Sequence, residues 1–117
     1  MLVLKTEEKK IYVFRGSVVS KKAADPAVEE KPEDYAEVEV TYKIPTAAEA
    51  ENIISSQTKD SAIFKKYVTS IRSDNIQGWG DGVTPDQVIA ANGTYGLVHL
   101  IAVDIVDSMR VDFQRKK

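Results

Sequence analysis

The residues of this sequence that could perform chemistry are few and far apart. Its one histidine, His99, lies between Val98 and Leu100, and a lone imidazole in an apolar stretch is more often a buried or interface residue than a catalytic base. Cysteine is absent, which excludes thiolate nucleophiles, disulfides and cysteine-ligated zinc within these 117 residues. No serine stands in a G-x-S-x-G motif. These patterns favour a protein that is not an enzyme, and an uncharacterised enzyme is kept only as a third hypothesis.

Neighbouring carboxylates occur in two places but indicate no metal centre. Asp104 and Asp107 are three positions apart and would share a face of a helix, yet the sequence offers no second pair of ligands beside them. We expect both to be solvated charges on the exposed side of that helix. Asp81 and Asp86 flank a predicted helix start, where carboxylates favour the positive end of the helix dipole. The sequence therefore predicts no metal and no cofactor.

The segment GWGDG at residues 78–82 is the most distinctive local motif. Its glycine spacing fits neither G-x-G-x-x-G nor the P-loop, and no lysine follows it, so we do not expect a nucleotide site. Three glycines in five residues predict a loop. The only tryptophan, Trp79, lies on this loop, and a large amphipathic ring on an adaptable backbone is typical of an interface anchor. The alternative, in which Trp79 fills the junction between helices, stays open.

Composition places the chain among ordinary globular domains. Its 117 residues, 43% of them apolar and 29% charged, suit one domain with a real core. The net charge of −2 argues against a nucleic-acid surface or a polybasic membrane anchor. No apolar run approaches the ~20 residues of a membrane span, and the start MLVLKTEEKK is too charged for a signal peptide. We expect one soluble, cytoplasmic domain over residues 1–117, with no nucleic acid and no membrane among its partners.

Strands come first in the chain, and we predict them within residues 1–44. Together with the helices that follow, they must position the candidate residues named above. Short apolar runs at residues 1–4 and 11–14 predict the first strands, which continue at residues 18–19. Residues 36–44 alternate strictly, as is typical of a half-buried antiparallel strand. The apolar face of this strand consists of Val38, Val40, Tyr42 and Ile44.

Between these strands, residues 20–35 contain two prolines and no apolar periodicity, which predicts a long mobile hairpin loop. Acidic residues are concentrated around it, since residues 25–39 contain seven acidic side chains against the single Lys31. A solvated loop is the first interpretation of this charge run, and a docking surface for a basic partner is the second.

Helices are predicted from residue 45 onward. The T-x-x-E pattern that begins at Thr46 predicts a capped first helix. A second helix should open near Asp60 and end by residues 73–75. It is predicted by an apolar stripe at helical spacing, which consists of Ile63, Phe64, Tyr67, Val68 and Ile71.

Thr84, followed by Pro85, predicts a capped third helix. The last helix, over residues 95–111, is apolar around more than half of its circumference, so it is either the central core helix or half of an interface. Strands first and helices afterwards, in residues 45–111, predict an α+β fold. In that fold an amino-terminal antiparallel hairpin or three-stranded sheet is followed by about four helices.

The order of these features resembles the tail assembly chaperones of long-tailed bacteriophages, small proteins encoded just before the tape-measure gene. The shared features lie within residues 36–110: an alternating strand at 37–44, PTAAE at 45–49, FKKYV at 64–68 and I-x-GW-x-x-GV at 76–83, followed by a capped helix. The resemblance implies a non-enzymatic protein of the host cytoplasm that binds the tape-measure protein and gathers tail-tube subunits.

Interaction is therefore the predicted function. The candidate partner-binding residues are Trp79, Phe64, Tyr67, Leu97, Ile101 and Ile105. We also expect self-association, through the broad apolar surface of the last helix or the exposed edge of the amino-terminal sheet. The alternative function is a structural minor tail or head–tail connector protein, which would remain in the finished virion.

Overall fold

A computed structural model describes residues 3–15, 19–21 and 35–109 of the chain. Strands and helices follow one another as β1 (Glu7–Phe14), β2 (Val19–Lys21), β3 (Ala36–Lys43), α1 (Ala47–Ser56), α2 (Asp60–Tyr67), β4 (Val68–Arg72), α3 (Pro85–Ala90) and α4 (Tyr95–Ser108). This arrangement confirms the predicted α+β fold, in which an antiparallel sheet near the amino terminus precedes most of the helical part.

The sheet has four antiparallel strands in the order β2-β1-β3-β4. Strand β3 lies between β1 and β4, and its register places Val38 opposite Tyr12 and Val40 opposite Ile71. Alternate residues of β3 are buried, as the sequence predicts for a strand with one covered face. These buried residues are Ala36, Val38, Val40 and Tyr42.

One hydrophobic core joins the covered face of the sheet to the helices. Helix α4 is its central helix, because five of its apolar side chains are buried: Leu97, Val98, Ile101, Ala102 and Ile105. Helix α2 packs on α4 and contributes Ile63, Phe64 and Tyr67 to the same core. Of the two interpretations of the last helix, the structure therefore supports the core helix.

The first strand begins later than the sequence predicts. Residues 3–6 lie outside any strand, and the side chains of Val3 and Leu4 are 80% and 75% exposed. Strand β1 instead includes the charged stretch from Glu7, because that stretch pairs with the far end of β3, where Glu7 faces Lys43. Opposite charges on facing strand positions suit a solvated end of a sheet.

The second helix is shorter than predicted, and residues 68–72 form strand β4 within the part of the chain that was expected to be helical. Val68 and Ile71 are both buried, three positions apart, which mimics helical spacing. The register shifts between Thr41 and Tyr42 of β3, so that Thr69 is an extra residue in β4. Because of this bulge, the two inward-facing residues Val68 and Ile71 are three positions apart in the sequence instead of two.

Both predicted helix caps are present. In α1 the Thr46 hydroxyl accepts a hydrogen bond from the amide of Glu49, and the Glu49 carboxylate accepts one from the amide of Thr46. Thr84 and Gln87 form the same reciprocal pair at α3. The buried face of α1 is narrow, because Ile53 is buried but Ile54 is 57% exposed.

Two predictions lie partly or wholly outside the described residues. The sequence predicts a mobile hairpin loop at residues 20–35, but residues 20 and 21 belong to β2, and residues 22–34 are not described. Helix α4 begins at Tyr95 as predicted and ends at Ser108, before the predicted limit at residue 111, which is not described.

Candidate functional site

The loop that carries Trp79 is folded back along strand β4. The amide of Ser73 donates to the carbonyl of Trp79 over 3.0 Å, and the amide of Val83 donates to the carbonyl of Ile71 over 2.9 Å. Within the loop, the amide of Gly82 donates to the same Trp79 carbonyl over 3.1 Å. The backbone of Trp79 is therefore fixed, although its segment is neither helix nor strand.

Glycine is required at two places in this loop. Gly78 has φ +87° and Gly82 has φ +98°, values that side-chain-bearing residues rarely adopt. These two residues turn the chain on either side of Trp79. The side chain of Trp79 is half-buried and packs against the core together with Ile76 and Val83. The structure is compatible with both interpretations of Trp79, as an interface anchor and as a side chain that fills a junction, because the ring contacts the core and is also partly exposed to solvent.

The other five candidate partner-binding residues are in the interior. Their side chains are at most 4% exposed: Phe64, Tyr67, Leu97, Ile101 and Ile105. The helical stripes that suggested an interface are the faces with which α2 and α4 contact each other and the sheet. Their proposed role as surface contacts is therefore corrected to a role in the core, and Trp79 is the one candidate of the set that is partly exposed.

Asp104 is also buried, and this contradicts the predicted solvated position. Its carboxylate is 1% exposed on the inner side of α4, where Oδ2 accepts a hydrogen bond of 2.5 Å from the hydroxyl of Tyr12. Burial, with the hydrogen bond and charge of Asp104, raises the pKa of the Tyr12 phenol far above its usual value. Asp107, one turn further, is exposed as predicted.

His99 is on the surface rather than in the core. Its Nδ1 lies 2.5 Å from Oδ2 of Asp60 at the start of α2, and its ring stacks on that of Tyr95 with centroids 6.2 Å apart. A carboxylate on Nδ1 is how catalytic histidines are oriented. Asp60 lies on α2 and His99 on α4, so their contact connects these two helices.

The uncovered face of the sheet carries a charged network across three strands. Glu39 of β3 pairs with Lys9 of β1 at 3.3 Å and with Arg72 of β4, and Arg72 also pairs with Asp74. The hydrogen bond from Arg72, with a smaller effect of Lys9, holds the pKa of the Glu39 carboxyl below its usual range. Glu39 belongs to the acidic run at residues 25–39, for which a docking surface was the second interpretation, and its charge is balanced within the fold by Lys9 and Arg72.

Sequence reasoning missed a groove at the end of the sheet where β3 turns into α1. Lys5, Lys43 and Lys66 contribute to its lining and come from three separate parts of the chain. Tyr67, whose hydroxyl is buried, also contributes to the lining. Spacing along the sequence gave no signal for this groove, because only the turn at Pro45 and the packing of α2 bring these residues together.

Metal and membrane chemistry find no support in the described residues. Residues 3–15, 19–21 and 35–109 contain no cluster of three or more histidine and carboxylate side chains that could hold a metal ion. In the same ranges, no helix combines the length and the apolar character that a bilayer crossing requires.

The chain matches no protein-family model, no curated protein and no solved structure.

Proposed function

We propose that this chain is a tail assembly chaperone of a long-tailed phage or prophage, which binds the tape-measure protein and helps to recruit tail-tube subunits in the host cytoplasm. The support is the resemblance in the order of elements: an alternating strand, a capped helix, an aromatic-basic helix, a tryptophan loop and a second capped helix. The observation that carries the proposal is Trp79, a half-buried ring held on a fixed loop beside the edge of the sheet.

A partly exposed tryptophan suits a reversible contact. The aromatic ring contributes a large contact area at a small entropic cost, and its backbone is already ordered before a partner arrives. Most of the other large apolar side chains of the described residues are used in the core. We therefore infer that Trp79 is the anchor at which a partner docks.

Co-purification with the tape-measure protein of the same genome tests the proposal. Trp79→Ala should weaken binding by roughly 2 kcal/mol or more, about a thirtyfold rise in Kd. Gln77→Ala removes an exposed side chain from the same loop and should bind as the wild type does. A Trp79→Ala protein that is folded by circular dichroism and still binds with unchanged affinity would contradict the anchor.

The alternative, a minor tail or head–tail connector protein, predicts a different location at the end of assembly. A chaperone leaves the particle, whereas a structural subunit stays in it. Mass spectrometry of purified virions should therefore find the tube and tape-measure proteins without this chain. Its presence there in a fixed ratio to the tube protein would favour the structural alternative.

A further inference from the structure

The turn between α3 and α4 contains an asparagine that is followed by glycine. Of the three asparagines in the sequence, Asn52 and Asn75 each precede an isoleucine, whereas Asn92 precedes Gly93. Asparagine is a thermolabile residue, because the main-chain nitrogen of the next residue can attack its side-chain amide. A glycine in the next position leaves that nitrogen without the steric cover of a Cβ. The sequence thus offers this attack the least hindrance at Asn92.

The turn itself is open to solvent. Asn92 and Gly93 are both exposed and lie outside any helix or strand. Gly93 has φ +80°, and a Cβ added there would meet no atom within 4 Å. Neither packing nor regular secondary structure therefore restrains this pair of residues.

The side chain of Asn92 differs from those of the other two asparagines. Oδ1 of Asn52, within α1, accepts a hydrogen bond of 3.2 Å from the hydroxyl of Ser56. Nδ2 of Asn75 donates one of 2.5 Å to the carbonyl of Tyr35. Across the ranges that the structure describes, the side-chain amide of Asn92 makes no such bond. It is therefore free to turn toward its own main chain.

The attacking nitrogen is also available at this turn. Among residues 3–15, 19–21 and 35–109, the amide of Gly93 donates no backbone hydrogen bond. The comparable pair in the tryptophan loop is Asp81 and Gly82, where the amide of Gly82 donates to the carbonyl of Trp79 over 3.1 Å. An attack by the Gly82 nitrogen would first have to break that hydrogen bond.

We propose that Asn92 is a site of spontaneous deamidation in the folded protein, with aspartate and isoaspartate as its products. The nitrogen of Gly93 loses its proton to the solvent and forms a bond to Cγ of Asn92. The bond from Cγ to Nδ2 breaks, and ammonia leaves with a proton from the solvent, so that a cyclic imide remains. Water then opens the imide, at Cγ to give aspartate or at the main-chain carbonyl to give isoaspartate. Water is the co-reactant, and no group is oxidised or reduced.

The new carboxylate would lie at the start of α4, a place that favours negative charge. The first turn of α4 contains no acidic residue, and the hydroxyl of its N-cap Thr94 bonds to the carbonyls of Val88 and Ala91 instead of to the helix amides. Residue 92 also shares a pocket with Lys59. Because the positive end of a helix dipole attracts a carboxylate, we expect the fold to survive the reaction. The inference goes beyond the proposed function and does not depend on it.

Peptide mapping of the full chain tests the inference. The folded protein is incubated in mildly alkaline buffer, digested, and analysed by mass spectrometry, in which deamidation adds about 1 Da to a peptide. Asn92 should be converted at least about tenfold faster than Asn52 or Asn75. A methyltransferase that labels isoaspartate should mark the peptide that contains residue 92. Asn92→Gln should abolish this label.

Asp81→Asn supplies a matched control within one molecule, because it creates a second asparagine–glycine pair. In the folded variant, position 81 should be converted at least about tenfold more slowly than position 92, since the amide of Gly82 must first give up its hydrogen bond. In about 6 M guanidinium chloride the two positions should react at similar rates.

Three results would overturn the inference. The first is an intact Asn92 in the folded chain after a time in which the denatured chain is converted. The second is an equal rate at positions 81 and 92 of folded Asp81→Asn, because access to the main-chain nitrogen would then not select the site. The third is conversion of Asn92 that appears only as circular dichroism is lost, which would assign the reaction to the unfolded chain.

Discussion

Tyr12 in β1 and Asp104 in α4 are 92 positions apart in the sequence, and the Tyr12 hydroxyl donates a hydrogen bond of 2.5 Å to Oδ2 of Asp104 in the interior. Neither side chain is more than 1% exposed. A buried carboxylate is costly unless donors reach it, so this bond favours the observed position of the central helix on the sheet.

Removing the Tyr12 hydroxyl should therefore destabilise the fold. We expect Tyr12→Phe to lower the free energy of unfolding by about 1.5–3 kcal/mol, because a buried carboxylate loses a donor. Urea denaturation measures this loss. Tyr95→Phe, at a position 79% exposed, should change stability by less than about 0.5 kcal/mol. A Tyr12→Phe protein as stable as the wild type would show that the bond contributes nothing net.

The same substitution at Tyr42 should have the opposite outcome. Tyr42 is fully buried next to the same carboxylate, yet its hydroxyl has no hydrogen-bond partner among the described residues. Tyr42→Phe removes an unsatisfied polar group, so we expect stability to be unchanged or to rise by about 1 kcal/mol. A clear loss in the same urea experiment would indicate that this hydroxyl is hydrogen-bonded in solution.

The tryptophan loop contains a matched pair of glycines. An added Cβ would meet no atom within 4 Å at either Gly78 or Gly80, but only Gly78 has a positive φ, of +87°. We expect Gly78→Ala to destabilise the protein by about 1–2 kcal/mol, because the backbone strain is unavoidable. Gly80→Ala should be neutral or slightly stabilising. Thermal unfolding compares the two, and equal effects would contradict the assignment of strain.

Acid should weaken the charged network on the open face of the sheet. Because the pKa of Glu39 is lower in the folded chain, its contribution is present above about pH 4.3, the ordinary unfolded value, and disappears as the pH falls through the folded pKa. Glu39→Gln should therefore be less stable than the wild type at pH 7, and this difference should narrow in acid.

Salt provides the control for this pH dependence. The pairs of Glu39 with Lys9 and Arg72 are partly exposed, so about 1 M NaCl should reduce the difference between the wild type and Glu39→Gln at pH 7. A difference that is the same at pH 7 and in strong acid would show that the carboxylate charge is not its cause.

Local signals explain which elements could be predicted from the sequence. The strict alternation of apolar and polar residues predicts strand β3. The helix caps at Thr46 and Thr84 depend only on residues within one helical turn. Strand β4 could not be predicted in this way, because the extra residue Thr69 gives Val68 and Ile71 a helical spacing. Only the pairing with β3 distinguishes strand from helix at this position.

The candidate sites depend on contacts that no local pattern contains. The position of Asp104 in the sequence suggests a surface residue. In the fold it is buried, where the hydroxyl of Tyr12 in β1 donates a hydrogen bond to it. The apolar stripes of α2 and α4 indicate a covered face correctly, but a stripe does not say whether the cover is the same chain or a partner. The groove where β3 turns into α1 assembles lysines at positions 5, 43 and 66, which only the tertiary fold brings together.

The return of the tryptophan loop along β4 has a consequence for the protein in a crowded solution. A free strand edge offers unpaired amides and carbonyls on which another molecule can add a strand. At β4 the carbonyl of Ile71 and the amide of Ser73 are already bonded to Val83 and Trp79 of the same chain. These edge positions are thereby closed to an added strand, and the loop that carries Trp79 lowers the tendency of the sheet to pair edge to edge with another molecule.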